Sequence, residues 1–222
     1  MSSSNLVPAT PEAKPIITLA SVTTIGAVAY MFGAIVVLHF LRPEYDPVTR
    51  VMSNYAVGPY GFLMTTAFFA VGLGMLSLAL GIYKGVAPVA QSRVGLILLA
   101  VAGVGFLIVA IFPTDVTPDD SPITTVGVVH ILASVASLAL FVVATLLLSR
   151  RFKNDERWLS FQRIAWSVAL AGLAAFIAFF VIKAFNLPIG GVGQRIFVMI
   201  ILLWLFLVGN HLRSVHSQSA ND

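Results

Sequence analysis

The sequence predicts an all-α integral membrane protein. It reads as a bundle of six transmembrane helices with both termini cytoplasmic and a short interfacial helix in the first outer loop. Three observations carry this. Charged residues make up only 10% of the 222 residues, against roughly 25% in soluble domains, too few to cover a water-facing surface. The mean hydropathy of +0.97 makes lipid the natural solvent. Six apolar runs follow one another, each about long enough to cross a ~30 Å hydrocarbon core at ~1.5 Å per helical residue.

Residues 1–17 are expected to form a disordered polar tail, with Pro8, Pro11 and Pro15 and no charges besides Glu12 and Lys14. The arginine-led pattern of a signal peptide is missing. The six-helix domain is expected over 18–212, with spans near 18–41, 60–83, 93–112, 123–149, 160–183 and 194–212, followed by a polar tail over 213–222. Backbone groups in lipid are satisfied only by helices or closed barrels, and runs this long exclude barrel strands. The third and sixth spans are short; the fourth has room to tilt. Ala70, Gly74, Ser77 and Gly81 predict a packing face, and so do Ser167, Ala171, Ala174 and Ala178, because small residues let helices approach in lipid. The bulky run Phe197–Val208 predicts a lipid-facing helix.

Orientation follows from lysine and arginine. With the N-terminus inside, nine fall on the inner side: Lys14, Lys84, Arg93, Arg150, Arg151, Lys153, Arg157, Arg163 and Arg213. Four fall outside: Arg42, Arg50, Lys183 and Arg195. The excess puts both termini in the cytoplasm. The same pattern explains the net charge of +4 without nucleic acid. Cysteine is absent, which removes disulfides, thiolate metal sites and cysteine nucleophiles.

The outer loops hold most of the chemistry. In the first, Asp46–Pro47 is a helix start, a capping carboxylate before proline at the first helical position. Val48, Val51, Met52 and Tyr55 then share one face, with Thr49, Arg50, Ser53 and Asn54 on the other. This predicts an amphipathic helix over Pro47–Tyr55 at the membrane surface; an ordinary capped loop is the plainer alternative. Ser121–Pro122 repeats the capping signal at the start of the fourth span, with Asp119 and Asp120 near that positive helix end. Asp115 sits at the membrane edge just after Phe112–Pro113.

The fourth span carries a small, polar stripe: Thr124, Gly127, His130, Ser134 and Ser137. His130 lies about 10 Å below the helix start. An ionisable group at that depth is a functional candidate; the plainer reading is a histidine hydrogen-bonded to a neighbouring helix. Lys183 and Asn186 end the fifth span. Gly190, Gly191 and Gly193 precede Gln194 and Arg195 at the start of the sixth. A cation at a helix N-terminus opposes the dipole, so Arg195 calls for a partner such as Asp115, Glu44 or an anionic ligand, or else snorkels to phosphate headgroups. Asp115, His130 and Arg195 are therefore expected to converge. His39, Asp115 and His130 form only a scattered metal set, and haem ligation by His130 has no second motif behind it. No cofactor is assigned. Nucleophile-elbow, Walker, zincin and Rossmann motifs are all missing.

Four short motifs then stand in order: MSNYAVGPYG at Met52–Gly61, FPTD at Phe112–Asp115, T-x-x-G-x-x-H at Thr124–His130, and G-x-G-Q-R at Gly191–Arg195, the last followed by an apolar helix with Trp204. In these the chain resembles an uncharacterised prokaryotic membrane family, domain-of-unknown-function family nine-nine-eight. The resemblance implies a six-helix protein of a bacterial or archaeal plasma membrane and brings no activity with it. It adds weight to Ser53, Asp115, His130 and Arg195 as site residues.

Two functions stand nearly level. One is a membrane-embedded enzyme acting on a lipid or isoprenoid-like substrate, with Ser53, His130 and Asp115 as catalytic groups. The other is a non-enzymatic binder or sensor of a lipid or small molecule. In both, Arg195, Lys183, Gln194, Asn54 and Tyr55 would bind an anionic, lipid-like ligand. A transporter ranks third, since no internal repeat is visible.

Overall fold

The computed structural model describes residues 13–117 and 122–218. Six helices account for most of it: α1 (Ala13–Leu41), α2 (Gly61–Gly85), α3 (Arg93–Ile111), α4 (Thr125–Arg151), α5 (Glu156–Ala184) and α6 (Gly190–Gln218). Each is long and apolar enough to cross a membrane, and no strand occurs among the described residues. The chain is a multi-pass membrane protein. Six passes return it to the end where it started. We call that end proximal and the opposite end, with the α1–α2 and α3–α4 connections, distal.

The helices close into a ring in chain order. Each packs on its sequence neighbours, α6 returns to α1, and α2 also touches α6. The small face of α2 makes its close contacts. A Cβ on Gly74 would meet the Cβ of Ala27 at 3.0 Å, and one on Gly81 would meet Ala20 at 3.0 Å and Leu212 at 2.8 Å. Thr24 adds a hydroxyl bond to the carbonyl of Gly74 at 3.0 Å.

Several expectations change. α1 begins at Ala13, inside the stretch expected as a tail, and α6 runs on to Gln218; residues 1–12 and 219–222 lie outside the described residues. The sixth helix is therefore among the longest, at 29 residues. Its bulky run faces lipid only in part, through Leu203 and Phe206. Phe197, Ile201, Leu202, Trp204, Leu205 and Val208 are all buried, because α6 touches three other helices. The stripe Ser167, Ala171, Ala174 and Ala178 is exposed; α5 packs instead through Trp158, Phe161, Ala165, Ala169 and Gly172. Aromatic mass decided that face.

The helix ends follow local chemistry. Thr124 caps α4: its hydroxyl accepts from the N–H of Gly127 at 3.0 Å. Asp119, Asp120 and Ser121 lie outside the described residues. α5 stops where Asn186 turns left-handed, with φ 49°. The N–H of Leu187 then reaches the carbonyl of Ile182, and that of Asn186 reaches Lys183. This is a Schellman closure with asparagine in the position glycine usually takes.

At the proximal end Asp155 joins the α2–α3 connection to α5. It is 3% exposed. It accepts from the N–H of Ala87 at 2.9 Å and from Arg157 Nη2 at 2.7 Å, while Arg157 also donates to the carbonyl of Gly85. Burial pushes the Asp155 carboxyl up, but the Arg157 and Ala87 bonds outweigh it and hold the group below the ordinary aspartate value.

Candidate functional site

Two interlocking loops form the distal rim. The first joins α3 to α4. A helix leaves its last carbonyls and first N–H groups without intrahelical partners, and here each helix supplies side chains or loop groups to the other. His130, from the second turn of α4, places Nδ1 at 2.7 Å from the carbonyl of Phe112, which ends α3. A carbonyl only accepts, so Nδ1 carries the proton. Asp115, just past α3, turns back onto the start of α4. Its Oδ2 accepts from the N–H groups of Ile123 and Thr124, both at 2.8 Å, and Oδ1 from the Thr124 hydroxyl at 2.9 Å. The Thr124 N–H bond most of all holds the Asp115 carboxyl below its ordinary value, against a smaller upward push from burial. Gly127 leaves room for that carboxylate, which a Cβ there would strike. Phe112, Asp115, Thr124, Gly127 and His130 are thus one unit.

The second lock joins the α1–α2 connection to α6. The helix expected over Pro47–Tyr55 is instead one turn closed by Arg50 N–H onto Asp46 O, followed by a 3-10 helix at Met52–Ala56. Asp46 does cap the turn, accepting from the N–H of Val48 at 3.1 Å and the Thr49 hydroxyl at 2.9 Å. Those bonds, led by the Val48 N–H, lower its carboxyl from the ordinary value. Met52 and Tyr55 of the expected apolar face are buried; Asn54, expected on the polar face, is buried as well, while Thr49, Arg50 and Ser53 stay at least partly exposed. The N-terminal turn of α6 holds this segment. The N–H of Met52 donates to Gln194 Oε1 at 2.5 Å, and that of Val192 to Val48 O at 3.1 Å. Arg195 Nη1 donates to the carbonyls of Arg50, Pro47 and Gly191 at 2.7, 2.9 and 3.1 Å.

Arg195 also donates through Nε to His39 Nε2 at 3.2 Å and through Nη2 to the Tyr55 hydroxyl at 3.4 Å. Nε2 of His39 must then offer its lone pair, which assigns the proton to Nδ1, 2.6 Å from the carbonyl of Ile35. Tyr55 packs between His39 and Tyr45, with ring centroids 5.5 and 5.7 Å away. Arg42, 4% exposed, clamps the far side. It donates to the carbonyls of Val57 and Pro59 at 2.7 and 2.8 Å and pairs with Glu44. Arg50 Nη1, donating to the Thr117 carbonyl at 2.6 Å, ties the two locks together.

A cavity of about 230 Å³ lies beneath this rim, inside the ring. Ser53, Thr114, His130, Lys183 and Gln194 line it, together with Ser134 one turn below His130. The remaining walls are apolar, with Phe68, Phe106, Leu138, Phe179 and Ile201 among them. A family model described as protein of unknown function (DUF998) matches residues 24–211. The chain belongs to the DUF998 family. No curated protein and no solved structure matches it.

The four motifs that carry the DUF998 resemblance are the parts of the two locks. FPTD meets T-x-x-G-x-x-H, and MSNYA meets G-x-G-Q-R. The expected site residues divide accordingly. Ser53, His130, Lys183 and Gln194 come together at the cavity. Asp115, Arg195, Asn54 and Tyr55 do not line it; they build the rim. Of the convergence expected for Asp115, His130 and Arg195, Asp115 and His130 do share the first lock, whereas the direct Asp115–Arg195 contact does not form: Asp115 is committed to the start of α4 and all five acceptors of Arg195 are neutral. Arg195 also stands in the second turn of α6, which starts at Gly190, past the first turn where the dipole acts most strongly.

His130 Nδ1 does not meet a carboxylate of the kind that orients the histidine of a serine relay; it faces the Phe112 carbonyl. Nor do His39, Asp115 and His130 gather as metal ligands: among the described residues no three histidines or acids are grouped to hold an ion. Sequence reasoning missed Arg42 as a clamp, Thr114 as a cavity residue and Asp155–Arg157 as a buried pair. Proximity to an apolar span was the only available signal, and a positive-inside tally spends arginines before asking what they bond.

Proposed function

We propose that this DUF998 protein binds the polar end of an anionic, lipid-like amphiphile in its distal cavity, without chemistry on it. The cavity itself carries the reading: it is mostly apolar, inside a membrane bundle, with hydrogen-bonding groups collected near one end. That is the usual composition of a small-molecule site. Among the described lining residues Lys183 carries a full charge and none is Asp or Glu, which favours an acidic head. The nine-to-four distribution of Lys and Arg supports placing both termini in the cytoplasm of a bacterial or archaeal cell. The cavity then sits toward the outer leaflet of the plasma membrane.

The test is solvent extraction of protein purified in mild detergent, with lipids identified by mass spectrometry. Wild type should carry an acidic amphiphile that Val198→Trp, which fills the cavity from α6, does not. An identical lipid profile in the two proteins, both still folded, would end the ligand reading.

A further inference from the structure

The geometry points to a side door: the cavity opens between the distal halves of α4 and α5, the amphiphile's head enters from the bilayer, and its tail stays in lipid. This rests on the ligand reading above and adds a route and a polarity to it.

Size is the first argument. About 230 Å³ exceeds the ~150 Å³ that accepts a benzene but falls short of the roughly 300–1,000 Å³ of pockets that enclose drug-sized ligands. It holds a head and a few carbons. The rest of any lipid must lie outside, so the wall must be open somewhere.

Exposure locates the opening. His130 and Leu138 on α4 are buried at 2% and 8%, yet Val135, on the same cavity wall, is 39% exposed. A side chain that lines a cavity and also faces the surroundings marks a mouth. Across from it stand Phe180 and Lys183 of α5, both half-buried cavity residues. The packing of α5 agrees. Five of its six buried residues lie at or before Gly172, and Phe179 is the last. The helix is seated most deeply at its proximal end, where the Phe152 and Trp158 rings lie 4.5 Å apart; its distal half leans on α6, through Phe176 against Phe197 at 5.4 Å and through Phe179 and Ile182 beside Gly193, so the side facing α4 is the thinner seam.

The described rim offers no equal way out. Met52–Ala56 lies over the cavity, fixed by Gln194 and Arg195, and Arg50 bonds across to Thr117. The polarity follows from the lining. Ser53, Thr114, Lys183 and Gln194 are at the distal rim, so the head belongs there, with the first carbons against Val135 and Phe180 on the way to lipid.

The experiment uses the full-length protein in phosphatidylcholine nanodiscs and three long-chain photoprobes, a carboxylate, a phosphate monoester and a neutral alcohol. Each carries a diazirine either beside the head or at the methyl end. Head-side diazirines on both acidic probes should label peptides containing Ser53 and Val198. Methyl-end diazirines should label lipid, or the exposed faces of α4 and α5. Val135→Trp should slow head-side labelling about tenfold, as a barrier raised by ~1.4 kcal/mol does, with thermal stability unchanged.

Unchanged labelling in Val135→Trp, with wild type labelled in the cavity, would overturn the side door alone. Methyl-end labelling of the cavity would overturn the polarity, and equal labelling by the alcohol would overturn the acidic head. No cavity labelling by any probe would instead remove the ligand reading beneath it.

Discussion

Gly191→Ala is the sharpest test of how the distal rim is held. A Cβ at this position would lie 2.5 Å from the carbonyl oxygen of Arg50, 2.6 Å from that of Pro47 and 2.9 Å from Arg195 Nη1. Relief to the 3.0 Å that real Cβ contacts respect requires a shift of 3.0 − 2.5, or 0.5 Å. Two of the three neighbours are backbone, so no rotamer change provides it. The carbonyls are also the acceptors of Arg195 Nη1, at 2.7 and 2.9 Å, so moving the turn away stretches those bonds toward the weak limit near 3.2 Å. Overpacking of this kind costs about 1–3 kcal/mol. The usual gain on replacing a helical glycine, about 0.8–1 kcal/mol in a helix interior, is smaller in this first turn.

Gly26→Ala is the matched control. It lies within α1, and nothing stands within 4 Å of the Cβ it would gain, so it should be neutral or stabilising by up to ~1 kcal/mol. Thermal unfolding followed by tryptophan fluorescence suits both, since Trp158 and Trp204 are 0% and 1% exposed. At roughly 2–4 °C per kcal/mol for a chain of this size, the two variants should separate clearly, with Gly191→Ala below wild type. Gly191→Ala melting at or above wild type would show that the α1–α2 connection does not rest on α6, and the account of Arg195 would fall with it.

Four further outcomes follow from the same contacts. Arg195→Lys should cost about 1–3 kcal/mol in unfolding experiments, because an ammonium cannot reproduce a fork that reaches His39, Tyr55 and three carbonyls; wild-type stability would contradict the clamp. His130→Ala should cost a similar ~1–3 kcal/mol by orphaning the Phe112 carbonyl, and His130→Gln, which keeps a donor, should recover part of it. The Asp155 carboxyl is held below its ordinary value, so its stabilisation is complete above the unfolded value near pH ~4 and fades as pH falls through the lower folded one. The acid limb of a melting-temperature profile should therefore flatten in Asp155→Asn, and parallel profiles would refute the assignment. Finally, cysteine-free wild type allows single-site labelling: on intact cells an impermeant maleimide should modify Val116→Cys and spare Val89→Cys, with the reverse pattern inverting the topology.

What the sequence disclosed depended on whether a property is local. Span number is local, since ~20 apolar residues must be helical in lipid wherever they pack. Caps are local too: Asp46 bonds the next turn as its spacing predicts. Facing is not. Phe197–Val208 reads as lipid-facing because lipid and core are equally apolar, and only the position of α6 against α1, α2 and α5 buries half of it while Leu203 and Phe206 stay exposed. Arg195 shows the same gap at the site. Its sequence neighbourhood suggests an unmet charge, whereas four of its five acceptors come from residues 140 to 156 positions away. A partner at that separation leaves no trace in composition or period.

The motifs reveal what the rim is for once their pairing is known. Thr114 and His130 bring FPTD and T-x-x-G-x-x-H to the cavity wall, but most of the motifs' polar bonds run between the two: Asp115 to Thr124, His130 Nδ1 to the Phe112 carbonyl, Gly127 clearing space for the carboxylate. The second pair behaves alike, with Gln194 and Arg195 spent on backbone of the α1–α2 connection. A cavity in a ring of six helices has an exposed distal end, and loops there would be wet and mobile without such bonds. Fixing both loops by side chains from the following helices turns them into a rigid roof. Rigidity above and the thinner α4–α5 seam at the side are complementary, because under the ligand reading a roof that does not yield leaves that seam as the way in. The roof residues should therefore govern stability, and Val135, Phe180 and Lys183 should govern access.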